Sequence, residues 1–110
     1  MPREGLGEFE QVVMLAIVHL KDNVYGVPIV DEIERRTGRA VARAAVYITL
    51  RRLEDKGLVT SWMSDPTGAP GGKATRCVSV TPAGRKALKE SRTFLDLMWR
   101  GATPKLKDVR

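Results

Sequence analysis

From Glu8 onward the apolar residues Phe9, Val12, Val13, Ala16, Ile17 and Leu20 recur at three-four spacing, which lays one stripe along an α-helix. Lys21-Asp22-Asn23 ends that pattern, and Tyr25-Gly26 supplies a turn. Pro28 falls just inside a second helical pattern, where its missing N–H costs nothing, and Ile29, Val30 and Ile33 form the buried stripe. Asp31 with Arg35, and Glu32 with Arg36, stand four apart with the acid first, the better orientation for support on an exposed face. Gly38 is a natural C-terminal stop. A third helix is expected over about Ala42 to Lys56, with Val46, Leu50 and Leu53 inward and Gly57 as terminator.

The opposite side of that third helix gathers Ala44, Ala45, Ile48, Arg51, Arg52 and Asp55, with Tyr47 on the flank. Small residues near its start let a helix sit deep in a groove, and the arginines then reach phosphates or guanine edges. Leu58 to Ser64 alternates, as does Lys73 to Val80, each as a strand with one buried face. The loop between them, Asp65 to Gly72, holds two prolines and three glycines, and Lys73 and Arg76 follow it. Thr81 as N-cap and Pro82 at the first position start a last helix that runs to about Arg100, where Gly101 and Pro104 break it. Its second half, Phe94 to Trp99, is apolar nearly all round, more than one buried stripe needs. A symmetric partner is the simplest cover for the surplus.

Helix, strand, basic-rimmed loop, strand, helix is the order of a winged helix-turn-helix. The expected fold is therefore mainly α with a small β-hairpin wing, followed by a C-terminal dimerisation helix. The boundaries are 1–80 for the winged helix-turn-helix, 81–101 for the dimerisation helix and 102–110 for a flexible tail.

Composition narrows the function. At 110 residues the chain makes one small domain, and 43% apolar with 29% charged residues describes a folded protein. The net charge of +6 and a pI of 9.9 exceed the value of about 9 that flags a nucleic-acid footprint. Cys77 is the only cysteine and His19 the only histidine, so neither an internal disulfide nor a four-ligand zinc site can be assembled. One histidine supports no plausible Cys-His or Ser-His-Asp set. Gly71-Gly72-Lys73 lacks the helix that a phosphate loop needs after it. No enzyme and no cofactor are expected. The apolar run Val12–Val18 is too short to span a bilayer and no basic-then-apolar leader precedes it, so a cytoplasmic location is expected.

The chain resembles the PadR family of transcriptional regulators, in its short form with one C-terminal helix. The matching segments are Leu6 to Glu10, Tyr25-Gly26 with Ile29 and Ile33, and Val46 to Val59 with its core Tyr47, Leu50, Arg51, Arg52, Leu53 and Glu54. Gly71-Gly72-Lys73 and Val80 to Gly84 complete the set, and the likeness covers about residues 6–100. The resemblance implies a homodimeric repressor that binds an inverted-repeat operator in double-stranded DNA. On the resemblance, Arg43 to Tyr47, with Ala44 and Ala45 among them, would enter the groove and Tyr47 would touch the backbone, while Ile48, Arg51 and Arg52 face DNA by the reading of the outer side given above. Lys73 would sit at the wing's usual basic position, and Arg76, just after the loop, is read as a second DNA-facing residue of the wing. Phe94, Leu95, Met98 and Trp99 would pair the subunits, and a small-molecule inducer at the dimer interface would be possible. The chain departs from the family pattern at Ala42 and Ala45, where Ser and Thr are usual, so the third helix loses or moves its N-cap. It departs again at Ala74 to Val78, which carry fewer basic residues than usual.

Blander readings stand beside these. Without the wing, Arg51 and Arg52 read as a solvated helix face, Tyr47 as packing, and Lys73 and Arg76 as solubility charges. Cys77 reads as a small core residue, His19 as a helix-end residue, and Trp62 and Trp99 as packing. The alternative function is a winged-helix module that binds protein through the apolar end of its last helix and does not bind DNA.

Overall fold

The computed structural model describes residues 5–21, 24–64 and 74–107. Their order is α1 (Glu8–His19), α2 (Val27–Thr37), α3 (Arg43–Asp55), β1 (Val59–Met63), β2 (Arg76–Val80) and α4 (Pro82–Trp99), followed by a 3-10 turn at Thr103–Leu106. The expected elements are all present, in the expected order. The stretch read as a tail carries that short turn.

Three helices converge on the hairpin. Val13, Ala16 and Ile17 of α1 meet Ile29 and Ile33 of α2 and Val46, Leu50 and Leu53 of α3 in one buried cluster, which Val59, Val78 and Val80 close from the sheet. Met14 belongs to this core as well and is fully buried, a position that the α1 stripe did not include. The sheet is a single antiparallel pair running from Val59↔Val80 to Met63↔Arg76. Val24 adds an isolated antiparallel bridge to Val78 ahead of α2.

The two strands are covered unequally. In β2, Cys77, Val78 and Val80 are all buried, whereas β1 buries Val59 and leaves Trp62 and Met63 exposed. The alternation therefore describes the inner end of the hairpin better than the outer end. The second strand starts at Arg76, not Lys73, although Ser64 N–H still donates to Thr75 O at 2.7 Å.

Helix ends explain how α3 and α4 are joined. Gly57 takes φ +75°, its N–H donates to Glu54 O, and Leu58 N–H donates to Leu53 O, a double bond set that closes α3. Thr81 caps α4 by accepting from Gly84 N–H at 3.0 Å. The same Thr81 hydroxyl donates to Gly57 O at 2.8 Å, and Thr81 N–H donates to Leu58 O at 3.0 Å. The end of one helix is thus bonded to the start of the other. Gly84 sits at this junction because a Cβ there would overlap Leu58 O and crowd Val80 and Met14.

Two carboxylates are buried, one bonded within its own helix and one joining two helices. Glu32 is buried and receives both Arg35 and Arg36, so Arg35 pairs three residues back with Glu32 instead of four back with Asp31. Those guanidinium hydrogen bonds, Arg35 first, hold the Glu32 carboxyl below its ordinary range. Glu10 is the second, and it receives Lys56 Nζ at 2.8 Å and Gly7 N–H at 3.0 Å. Burial alone would raise the Glu10 carboxyl. The Lys56 and Gly7 hydrogen bonds and the charges of Lys56 and Arg52 outweigh it and leave a net lowering. The pair connects the first turn of α1 to the end of α3.

Candidate nucleic-acid interface

The face of α3 turned away from the core is the surface that the sequence singled out. Val46, Thr49, Leu50 and Leu53 point inward, while Arg43, Ala44, Tyr47, Ile48, Arg51 and Arg52 are exposed and Ala45 is half-buried. Ile48 stands 60% exposed in the middle of this face, with no apolar cover. The helix starts without a side-chain cap, since Ala42 at the N-cap offers no acceptor. Its first N–H groups are therefore open to water or to an anionic oxygen.

Arg43 and Arg51 enter no ion pair among the described residues, and Arg52 lends part of its field to Glu10. Arg39 pairs with Glu8 at 3.3 Å.

Tyr47 and Arg76 are brought together, and not merely exposed side by side. Tyr47 stacks on Tyr25 with ring centroids 5.7 Å apart at 27°, and the Arg76 guanidinium lies 4.9 Å from the Tyr25 centroid. Gly26, at φ +71°, is required beneath Tyr47: a Cβ there would stand 2.5 Å from the phenol oxygen. Arg76 also lies 3.7 Å from the Glu54 carboxylate and 3.3 Å from Ser61 Oγ. Tyr25, Tyr47, Ile48, Arg51, Glu54 and Arg76 line a shallow cleft of about 450 Å³. Sequence reasoning used Tyr25 as a turn residue and as part of the family resemblance, and no spacing rule links it to Tyr47 or Arg76. Lys73, the expected basic residue of the wing, lies outside the described residues, as does the loop of residues 65–73.

The second exposed surface is the far end of α4. Phe94, Leu95, Leu97, Met98 and Trp99 are all exposed, Met98 to 69%, although five of these six consecutive residues are large and apolar. Phe94 and Leu95 form one wall of a groove of about 660 Å³, whose other wall is Gly5, Leu6 and Gln11 at the start of α1. Among the described residues no helix is long and apolar enough to cross a membrane, and no group of three or more His, Cys, Asp or Glu side chains is placed to hold a metal ion.

The family model of the transcriptional regulator PadR-like family matches residues 14–90, most of the chain and all of α2, α3 and the hairpin. The chain belongs to the PadR-like family of transcriptional regulators. It is 39% identical over 79 residues to the transcriptional regulator Rv3488 of Mycobacterium tuberculosis, covering 71% of this chain and 69% of that protein. A PadR family transcriptional regulator from Eggerthella lenta superposes with a TM-score of 0.68 at 24% identity, over 92% of this chain and 88% of the other. One from Clostridium difficile gives a TM-score of 0.71 at 21% identity, over 89% and 98%. These structures share the fold of a mainly helical domain with a two-stranded wing. The family and the Mycobacterium tuberculosis relative are transcriptional regulators, not enzymes.

Proposed function

We propose that this PadR-like regulator is a homodimeric repressor that binds an inverted-repeat operator, with α3 in the major groove and the hairpin over the neighbouring backbone and minor groove. The observation that carries the reading is the outer face of α3, where small residues stand exposed beside arginines, two of which, Arg43 and Arg51, enter no ion pair among the described residues. A helix of this kind fits a groove about 12 Å wide, and two of them one helical turn apart, about 34 Å, would read two half-sites.

On this reading residues 1–80 bind DNA, 81–101 pair the subunits and 102–110 are a tail. Ala44, Ala45 and Ile48 approach base edges. Arg43, Tyr47, Arg51 and Arg52 take phosphates or guanines from α3, and Lys73 takes a phosphate from the wing. Arg76 is given a different part below. Phe94, Leu95, Met98 and Trp99 form the subunit contact, supported by their exposure as a continuous apolar end. The groove between α4 and the start of α1 lies along that contact and has room for a small inducer. Such a protein works in the cytoplasm, beside the chromosome.

The same apolar end supports one other reading, a module that docks a different protein and leaves DNA alone. Titration of the protein against the DNA immediately upstream of its own gene, with shuffled DNA as control and at two salt concentrations, separates the two. Preference for the upstream fragment, weakening steeply with salt, is the expected result. No binding to either duplex by a chain that stays monomeric would replace the repressor reading with the docking module.

A further inference from the structure

Tyr47 and Glu54 are two turns apart on α3, about 10 Å along one side of the helix, and a bridge built from two other parts of the chain joins them. Arg76, in the last pair of the hairpin ladder opposite Met63, places its guanidinium 3.7 Å from the Glu54 carboxylate. It donates to Ser61 Oγ at 3.3 Å, and Ser61 Oγ donates in turn to Glu54 at 2.9 Å. The other side of the bridge is the stack of Arg76 over Tyr25 and of Tyr25 on Tyr47. The circuit runs from α3 to β2, to the connection between α1 and α2, and back to α3.

This circuit sits where the hairpin lacks other support. A two-stranded hairpin is marginal by itself in water. Its inner end is fixed by buried Val59, Val78 and Val80, but its outer end presents exposed Trp62 and Met63 and contributes little to the core. Arg76 stands at that outer end and Ser61 at the middle of the ladder, opposite Val78, and both are engaged with Glu54 of α3. A planar guanidinium meets both demands, since it can donate in its plane to oxygen and stack its face on a ring.

We infer that Arg76 is a positioning residue: with Glu54, Ser61 and Tyr25 it holds the outer hairpin at a fixed angle to α3, and it does not spend its charge on a phosphate. The inference rests on the DNA-binding reading given above. Its particular content is that an acidic residue, Glu54, supports binding to a polyanion. A surface charge that merely faced DNA would act in the opposite sense.

The test uses the full chain and a duplex recovered from a random pool by the wild-type protein. Arg76→Ala and Glu54→Gln should each weaken binding about three- to tenfold, the size of one partly exposed ion pair with a cation–π contact. The double variant should be no weaker than Arg76→Ala alone, because both changes open the same circuit. Arg76→Lys should fail to rescue, and the slope of log K against log salt should stay as in the wild type. A phosphate contact predicts the reverse set: a slope shallower by about 0.9 per lost contact, rescue by lysine, and equal or tighter binding by Glu54→Gln. That set, or wild-type affinity in both single variants, overturns the inference. If the wild type recovers no duplex, the DNA-binding reading itself fails. Amide exchange of β2 then judges the clasp, which Arg76→Ala must speed if the circuit holds the hairpin.

Discussion

The outer face of α3 and the far end of α4 are both left uncovered by the subunit, yet their exposure means different things. On α3 the inward residues are in the core and the outward ones include arginines, small alanines, Tyr47 and one isoleucine, with Glu54 and Asp55 near the end. That face is comfortable in water, and on the proposed reading it gains when a polyanion arrives. On α4 the second half carries Phe94, Leu95, Leu97, Met98 and Trp99 with no buried residue among them. Bare apolar surface is unfavourable by about 25 cal/mol per Å², so this end demands cover before any ligand is considered. A basic face can wait for its partner, but an apolar one cannot.

The sharpest way to break this contrast is to put charge on the apolar end. Leu95→Glu should dissociate the proposed dimer, because an unpaired charge in a covered apolar contact costs about 3–5 kcal/mol. Light scattering after size exclusion should show the mass of a single chain, and an unchanged mass would place the subunit contact elsewhere.

A second change attacks the anchored half of α4 instead. Gly84→Ala should lower unfolding stability by about 1–3 kcal/mol, since its Cβ has nowhere to go but into Leu58 O, Val80 and Met14. Thermal melts should show the loss with the dimer intact at low temperature. Together the two variants should divide α4 into a half that serves its own subunit and a half that serves the partner.

On the basic face, Arg52→Ala and Lys73→Ala should each weaken DNA binding roughly tenfold and flatten its salt dependence, leaving the dimer mass unchanged. Unaltered titration curves for both would return these residues to the role of solvated charges.

The smallest effect concerns the Glu10–Lys56 pair behind that face. Because the Glu10 carboxyl lies below its ordinary value of 4.5 in the fold, its stabilisation is complete above that pH and is lost as pH falls through the lower folded value. Glu10→Gln should therefore cost about 1 kcal/mol at neutral pH and should flatten stability against pH in the acid range. Urea melts at neutral pH and below pH 4 measure both.

What the chain discloses in its own order follows from how local each feature is. The stripe of α3, the Gly57 stop and the Thr81-Pro82 start each depend on residues within one or two turns, so their spacing is visible in the sequence. Glu10 reads as an ordinary acid in the first turn of a helix. Its burial depends on Lys56, which only the packing of α1 on the end of α3 brings within reach. The same holds for Tyr25, Tyr47 and Arg76, whose meeting requires the hairpin and the α1–α2 connection to flank one side of α3. A one-residue bridge such as Val24 to Val78 leaves no period to detect. Met14 fell outside the α1 stripe because that helix is covered on more than one side.

The bonds that Thr81 makes to Gly57 and Leu58 have a mechanical consequence. They form a stiff elbow, with α3 as its short arm and α4, about 27 Å of helix, as its long one. A tilt of the long arm by about 10° sweeps its tip through about 5 Å, a distance easily forced by whatever packs there. Because the Gly57 and Leu58 carbonyls are held by the Thr81 hydroxyl and by its backbone N–H, both short and close to the chain, such a swing would reach α3 as torque.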